Sequence, residues 1–232
     1  MIGILGGMGT QAGLDFCNKL TMLNRGKIDQ KYPLFILYNK SDIPGRPENL
    51  HKYNKVLKSL VKGCLLLQDS KCKFIVIPCN TAHYWYNDLQ KKIKIPIISM
   101  PKEVYIHAKN NCKKNSKIGI LATEGTLKTN VYNKFFFKRF TLVNPNKSLQ
   151  ISSVNKAIKY VKMGKIKNAE KAIKPAINYL IKMKCNKIIL GCTELPIAIF
   201  AFKSFKKIKL SKTFLDPNLI LARVSMKRYK TL

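Results

Sequence analysis

Two segments of the 232-residue chain set a cysteine in the same local surroundings, FIVIPCNTAHYW around Cys79 and KIILGCTELPIA around Cys192. A matching strand-like run precedes each, MIGILGG at the N-terminus and KIGILAT from Lys117, so that 76 residues separate Gly3 from Cys79 and 73 separate Gly119 from Cys192. The echo continues downstream, with KKIKIPIIS after the first cysteine and KKIKLSKTFLDP after the second. Such self-similarity marks an internal duplication, and it predicts two related lobes of about 100 residues, a normal domain size. Two lobes that each end a strand in a thiol can face those thiols across a shared cleft. That suits a reaction needing an acid and a base on opposite sides of one carbon.

Within each half, apolar runs of strand length alternate with stretches of helical period. MIGIL, LFILY, FIVIP and PIIS are followed by helical patterns near residues 10–26, 47–70, 81–93 and 101–113. IGIL, FTLV, KIIL and TFL are followed by patterns over 125–138, a pair of helices across 152–183, another over 194–206, and a terminal helix in LDPNLILARVSMKRYK. This βαβα rhythm implies parallel sheets covered by helices, and ligands of such sheets bind at the carboxyl ends of the strands. Cys79 and Cys192 are both expected there. The terminal helix is expected to return to the first lobe, which is assigned residues 1–101 plus 210–232, leaving 102–209 for the lobe that carries Cys192.

Composition narrows the setting. Hydrophobic residues make up 46% of the chain, enough for two cores. The best membrane candidate, between Lys187 and Lys203, is 15 residues long and contains Glu194 and Pro196, short of the roughly 18 apolar residues of a span. MIGILGGMG has no basic region of a signal peptide, so a soluble, cytoplasmic protein is expected. Seven cysteines, an odd number without a CxxC pair, predict reduced thiols. The three histidines, His51, His83 and His107, are isolated from one another and offer no zinc spacing. Cys17, Cys64, Cys72, Cys112 and Cys185 read as small residues without chemistry. The formal charge of +33 would attract anions, but only five of the 44 basic residues are arginine and the lysines are scattered. Nucleic-acid binding as the main function is therefore disfavoured.

GGMGTQA after the first strand satisfies G-x-G-x-x-A. A dinucleotide site also needs an acid closing the second strand, and LFILY ends in Asn39 and Lys40. The same glycines fit a tight strand-to-helix turn, or backbone N–H groups offered to a carboxylate. Cys79 and Cys192 each stand where a strand gives way to a helix, whose positive end would stabilise a thiolate. Small polar groups follow them, Asn80 and Thr81 in one case and Thr193 and Glu194 in the other, able to position a carboxylate or an ammonium.

These residues carry a resemblance. IGILGGMG at 2–9, DQKYP at 29–33, IPGR at 43–46, PCNTAH at 78–83, IPIISM at 95–100, GILATEGT at 119–126, YVKMGK at 160–165, GCTELP at 191–196 and LDP at 215–217 make the chain similar to the aspartate/glutamate racemase family, especially its aspartate racemase branch. The resemblance implies an α/β fold of two pseudo-symmetric lobes, each a four-stranded parallel sheet flanked by helices, with the active site between them. It also implies homodimers and racemisation of a small dicarboxylic amino acid, aspartate ahead of glutamate, without a cofactor. Cys79 and Cys192 fall on the catalytic cysteine positions. Met8, Gly9, Asn80, Thr81, Thr126, Thr193 and Glu194 fall in motifs lining the site, and Arg46 and Lys162 on positions that hold the side-chain carboxylate. A hydantoin racemase, a maleate cis-trans isomerase and a lysine-rich anion or nucleic-acid binder on the same scaffold are the alternatives. The chain departs from the family pattern at Gly45 and Pro47, where IPGRP replaces IPDRT, at Thr10 where proline is common, and in VNPNKSLQ, which lacks the usual acids.

Overall fold

In the computed structural model of the chain, residues 1–24, 28–200 and 213–231 are described. The expected lobe boundary at 209/210, the end of the helix expected over 194–206 and the second KKIK run lie outside the described residues.

Runs of Ile, Leu and Val too short for helices become parallel strands, buried inside each sheet and half-buried at one edge. β1 (Ile2–Gly6), β2 (Phe35–Asn39), β3 (Phe74–Val76) and β4 (Ile97–Ile98) form one parallel sheet in the order β2-β1-β3-β4. β5 (Lys117–Ala122), β6 (Thr141–Val143), β7 (Lys187–Gly191) and β8 (Phe214–Leu215) form a second in the order β6-β5-β7-β8. The two halves thus have one topology, and helices flank each sheet. The chain divides into two compact units, Met1–Glu103 with Asn218–Leu232, and Val104–Pro217.

The duplication extends to packing. Gly3 of β1 lets Leu67, at the end of the helix Tyr53–Asp69, approach so closely that a Cβ would lie 3.2 Å from the leucine Cβ. Gly119 of β5 does the same for Leu180 of the helix Ile166–Lys182, 2.9 Å from where a Cβ would stand. Each unit has its own core. Leu5, Leu60, Leu67, Ile75 and Trp85 pack in the first, and Leu121, Ile173, Leu180, Ile188 and Leu190 in the second.

Several expected elements differ in detail. The pattern over 125–138 is two short helices, Glu124–Lys128 and Asn133–Phe136, because Asn130 between them takes a left-handed φ of 52°. The region 81–93 opens as a 3₁₀ turn, Thr81–Trp85, before the α-helix Tyr86–Lys92. The pair expected over 152–183 includes a π-helical segment, Gln150–Asn155, and is divided at Gly164 with φ 71°. Phe214 and Leu215 pair with Ile188 and Ile189, so this stretch belongs to the second sheet and not to the first lobe, to which the sequence assigns 210–232. The following helix, Pro217–Tyr229, is tied to the first unit. Asn218 Nδ2 donates to the Ala12 carbonyl at 3.1 Å, and the Tyr229 hydroxyl accepts from the Leu34 N–H at 3.2 Å. No helix among the described residues is long and apolar enough to cross a membrane.

Candidate active site

In the first unit the carboxyl end of the sheet is built around the β1 turn. Gly7 has φ 86°, and a Cβ there would collide with the Lys40 backbone, so the turn requires glycine. Gly9 caps the helix Thr10–Leu23, and Met8 is buried. Arg46 reaches across to this turn. Its Nη2 donates to the Met8 carbonyl at 2.7 Å, its Nη1 contacts the carbonyls of Ile43 and Pro44 at 3.3 and 3.2 Å, and its buried Nε has no partner among the described residues. Arg46 therefore joins the Met8 and Ile43 loops. Beside it, a Cβ at Gly45 would overlap the Glu48 carboxylate, so that carboxylate occupies the space of the side chain that Gly45 lacks.

Lys40, just past β2, is buried and holds Asp42 through both carboxylate oxygens at 2.8 and 2.7 Å. That hydrogen bond draws the Asp42 carboxyl below its ordinary range. A paired cation after β2 stands where a ribose-binding acid would be required, which removes the dinucleotide reading of GGMG.

Cys79 follows β3 by three residues and is 5% exposed, with Asn80 and Thr81 buried beside it. His83, treated as isolated in the sequence, organises this corner. Its Nε2 accepts the Met100 N–H at 3.0 Å, which leaves the proton on Nδ1 to be donated to the Cys79 carbonyl at 2.9 Å. One neutral tautomer thus fixes the backbone of Cys79 against the start of the helix Met100–Asn111.

In the second unit Cys192 directly follows β7. Its thiol donates to Glu194 Oε2 at 3.0 Å, and the Thr193 hydroxyl lies 3.4 Å from the same oxygen. All three residues are buried. Burial first, then the Glu194 carboxylate, push the Cys192 thiol well above its ordinary range, and Lys162 pulls weakly the other way. This corrects the expectation of a thiolate at a helix N-terminus. A buried carboxylate in direct contact outweighs the end of the helix that starts at Leu195. Thr126 is buried at the start of the short helix after β5, its N–H bonded to Thr123 Oγ1 at 3.1 Å. The structure therefore brings Met8 together with Arg46, and Cys192 with Thr193 and Glu194 within the field of Lys162; Thr126 is bonded to Thr123.

The other five cysteines are free thiols, and burial pushes Cys64 up to about 12 and Cys17 to about 11. No group of three or more His, Cys, Asp or Glu among the described residues could hold a metal ion.

Twin parallel sheets of identical order, each with a buried thiol just past its third strand in sequence, define a duplicated α/β protein of the two-lobed racemase kind. The chain belongs to the Asp/Glu/Hydantoin racemase family, whose profile matches residues 5–224. Its fold is that of Picrophilus torridus aspartate racemase, with a TM-score of 0.81 and 27% identity, covering 99% of this chain and 94% of that one. In sequence it is similar to the broad specificity amino-acid racemase RacX of Bacillus subtilis (strain 168), 26% identical over 202 residues, 84% of this chain and 86% of that protein. It is also similar to a glutamate racemase of Sulfurihydrogenibium sp., 30% identical over 179 residues, 74% of this chain and 65% of that enzyme, so it spans just under two thirds of the latter.

Proposed function

We propose that this member of the racemase family interconverts the enantiomers of an acidic amino acid, aspartate before glutamate, with Cys79 and Cys192 as the two proton-transfer groups and no cofactor. The observation that carries the reading is the Cys192 thiol held at 3.0 Å from a buried carboxylate, at the point of the second sheet that Cys79 occupies in the first. A thiol so held begins the cycle as the acid. Cys79 then begins as the base. The Cys79 thiolate removes the Cα proton from one face, and the Cys192 S–H gives its proton to the other. The cycle ends with a Cys79 thiol and a Cys192 thiolate beside the Glu194 carboxylate. Two adjacent anions are costly, which favours return of a proton to Cys192 and resets the pair.

The remaining residues divide by chemistry. Asn80, Thr81 and Thr193 donate to the α-carboxylate as charge builds in the enediolate-like transition state, each well-placed donor contributing roughly 3 kcal/mol. Met8, Gly9 and Thr126 line the site, Arg46 and Lys162 face the side-chain carboxylate, and Glu194 holds the proton on Cys192.

A second reading, a racemase of wider substrate range, is favoured by Arg46, whose two terminal nitrogens already bond three backbone carbonyls. That leaves less of the guanidinium for a substrate carboxylate. A panel of L-amino acids incubated without pyridoxal phosphate and resolved by chiral chromatography decides between the two. Turnover confined to aspartate and glutamate supports the first, turnover of neutral amino acids supports the second, and no turnover by folded, reduced protein contradicts both.

A further inference from the structure

VNPNKSLQ, the segment without the family's acids, ends in a residue whose amide is oriented from three sides. Gln150 opens the π-helical segment Gln150–Asn155 and is buried. Its Nε2 spends both hydrogens, one on the carbonyl of Ala122 at 2.9 Å and one on Asn155 Oδ1 at 2.8 Å. Asn155 in turn donates through Nδ2 to Glu124 Oε1 at 2.9 Å. A carboxylate only accepts, so Glu124 forces Asn155 to present its NH₂ outward and its oxygen to Gln150. That oxygen and the Ala122 carbonyl, both acceptors, then force Gln150 to present its own NH₂ to them. The orientation of Oε1 follows from the network alone. Oε1 is buried and has no partner among the described residues.

A bare buried acceptor is costly unless something donates to it. Its position says what kind of donor. Ala122 ends β5 and stands opposite Gly191 of β7, the residue before Cys192, and neighbouring strands lie about 4.8 Å apart. Gln150 is therefore anchored at the carboxyl end of the sheet, one strand over from the Cys192 thiol. π-Helical turns inside helices recur at functional sites. Resting on the racemase reading above, we propose that Gln150 Oε1 accepts a hydrogen bond from the α-ammonium of the substrate, making Gln150 a substrate-positioning residue and the Glu124–Asn155 pair the device that keeps its oxygen inward.

Two ligands that differ in the ammonium provide the test: L-aspartate, and succinate, which keeps both carboxylates and lacks the amine. Gln150→Met preserves the volume and removes the acceptor. Glu124→Gln leaves Gln150 in place, at a half-exposed position where folding is not at stake, and removes the demand that fixes the relay together with an exposed 3.8 Å ion pair to Lys128. For Gln150→Met the apparent affinity for aspartate should fall about tenfold or more, as for a hydrogen bond to a charged group, while succinate inhibition stays within about twofold. Glu124→Gln should show the same ligand selectivity with a smaller loss. Equal losses for both ligands, or none, in both variants would mean that Oε1 does not meet the substrate ammonium, and the inference fails while the racemase reading stands. A wild-type protein that binds neither aspartate nor glutamate sinks the racemase reading and this inference with it.

Discussion

The Cys192 thiol donates to the Glu194 carboxylate at 3.0 Å, and the Lys162 ammonium acts on it from farther off. Burial raises this thiol most, two opposed charges act on it besides, and changing either charge moves it in a known direction. Glu194→Gln removes two of the influences that raise the thiol, so Cys192 should ionise at lower pH and react faster with iodoacetamide at a given alkaline pH. Lys162→Ala removes one of the influences that lower it, so alkylation should slow. The limb of the pH–rate profile that reports Cys192 should shift down in the first variant and up in the second. Turnover in Glu194→Gln should drop by about 10²-fold, the usual worth of a positioned proton-transfer partner. Site-resolved alkylation by mass spectrometry checks the opposite signs.

Arg46 and Lys162 should separate when each is changed to alanine. Arg46→Ala loses three backbone contacts that join the Met8 and Ile43 loops, so unfolding free energy should fall by about 1–3 kcal/mol along with binding of dicarboxylic substrates. Lys162 is exposed, and its removal should change stability by no more than about 0.5 kcal/mol while raising KM for aspartate. Urea titration beside steady-state kinetics distinguishes the two.

His83 bridges the Cys79 carbonyl and the Met100 N–H from a buried position. His83→Ala leaves both backbone groups buried and unpaired, a cost of about 1–3 kcal/mol for each. The expected result is a lower urea midpoint and slower turnover, with Cys79 alkylated more readily because its backbone is no longer fixed.

Alkaline pH should destabilise the protein. Cys64 at about 12 and Cys17 at about 11 hold their protons above the free-thiol value, which is about 8.5. Raised folded values mean that the folded chain binds more protons than the unfolded one above pH 8.5. Stability is therefore whole below that pH and declines as pH climbs from there toward 11 and 12. Urea midpoints measured between pH 7.5 and 10 should fall steadily, and in Cys64→Ala, less stable throughout because of the cavity, the fall should be shallower.

The strands, their parallel pairing within each half and the twin placement of Cys79 and Cys192 were legible because Ile, Val and Leu runs and repeated motifs are local signals, whereas the strand order is a property of the assembled sheets. What escaped was set by distance or burial. The Asn130 break follows from a left-handed φ that no apolar period records. His83 acquires its meaning from Met100, 17 residues on, and Gln150 from Ala122 and, through Asn155, from Glu124. PCNTAH placed His83 four residues after Cys79, so a link between them could have been sought there. The rise of the Cys192 thiol was not legible, because a helix end is visible in sequence whereas burial beside a carboxylate is not.

Hydrogen exchange at Cα tests the two-thiol account most directly. In D₂O, wild-type protein given one enantiomer should place deuterium in the product while recovered substrate stays protonated at early times, since one thiol removes the proton and the other delivers a deuteron. Cys79→Ala and Cys192→Ala should each abolish net inversion, and any residual exchange should be confined to one enantiomer, with opposite preference in the two variants. Inversion at a rate near wild type in either alanine variant would contradict the account, because the remaining thiol would then be serving both faces alone.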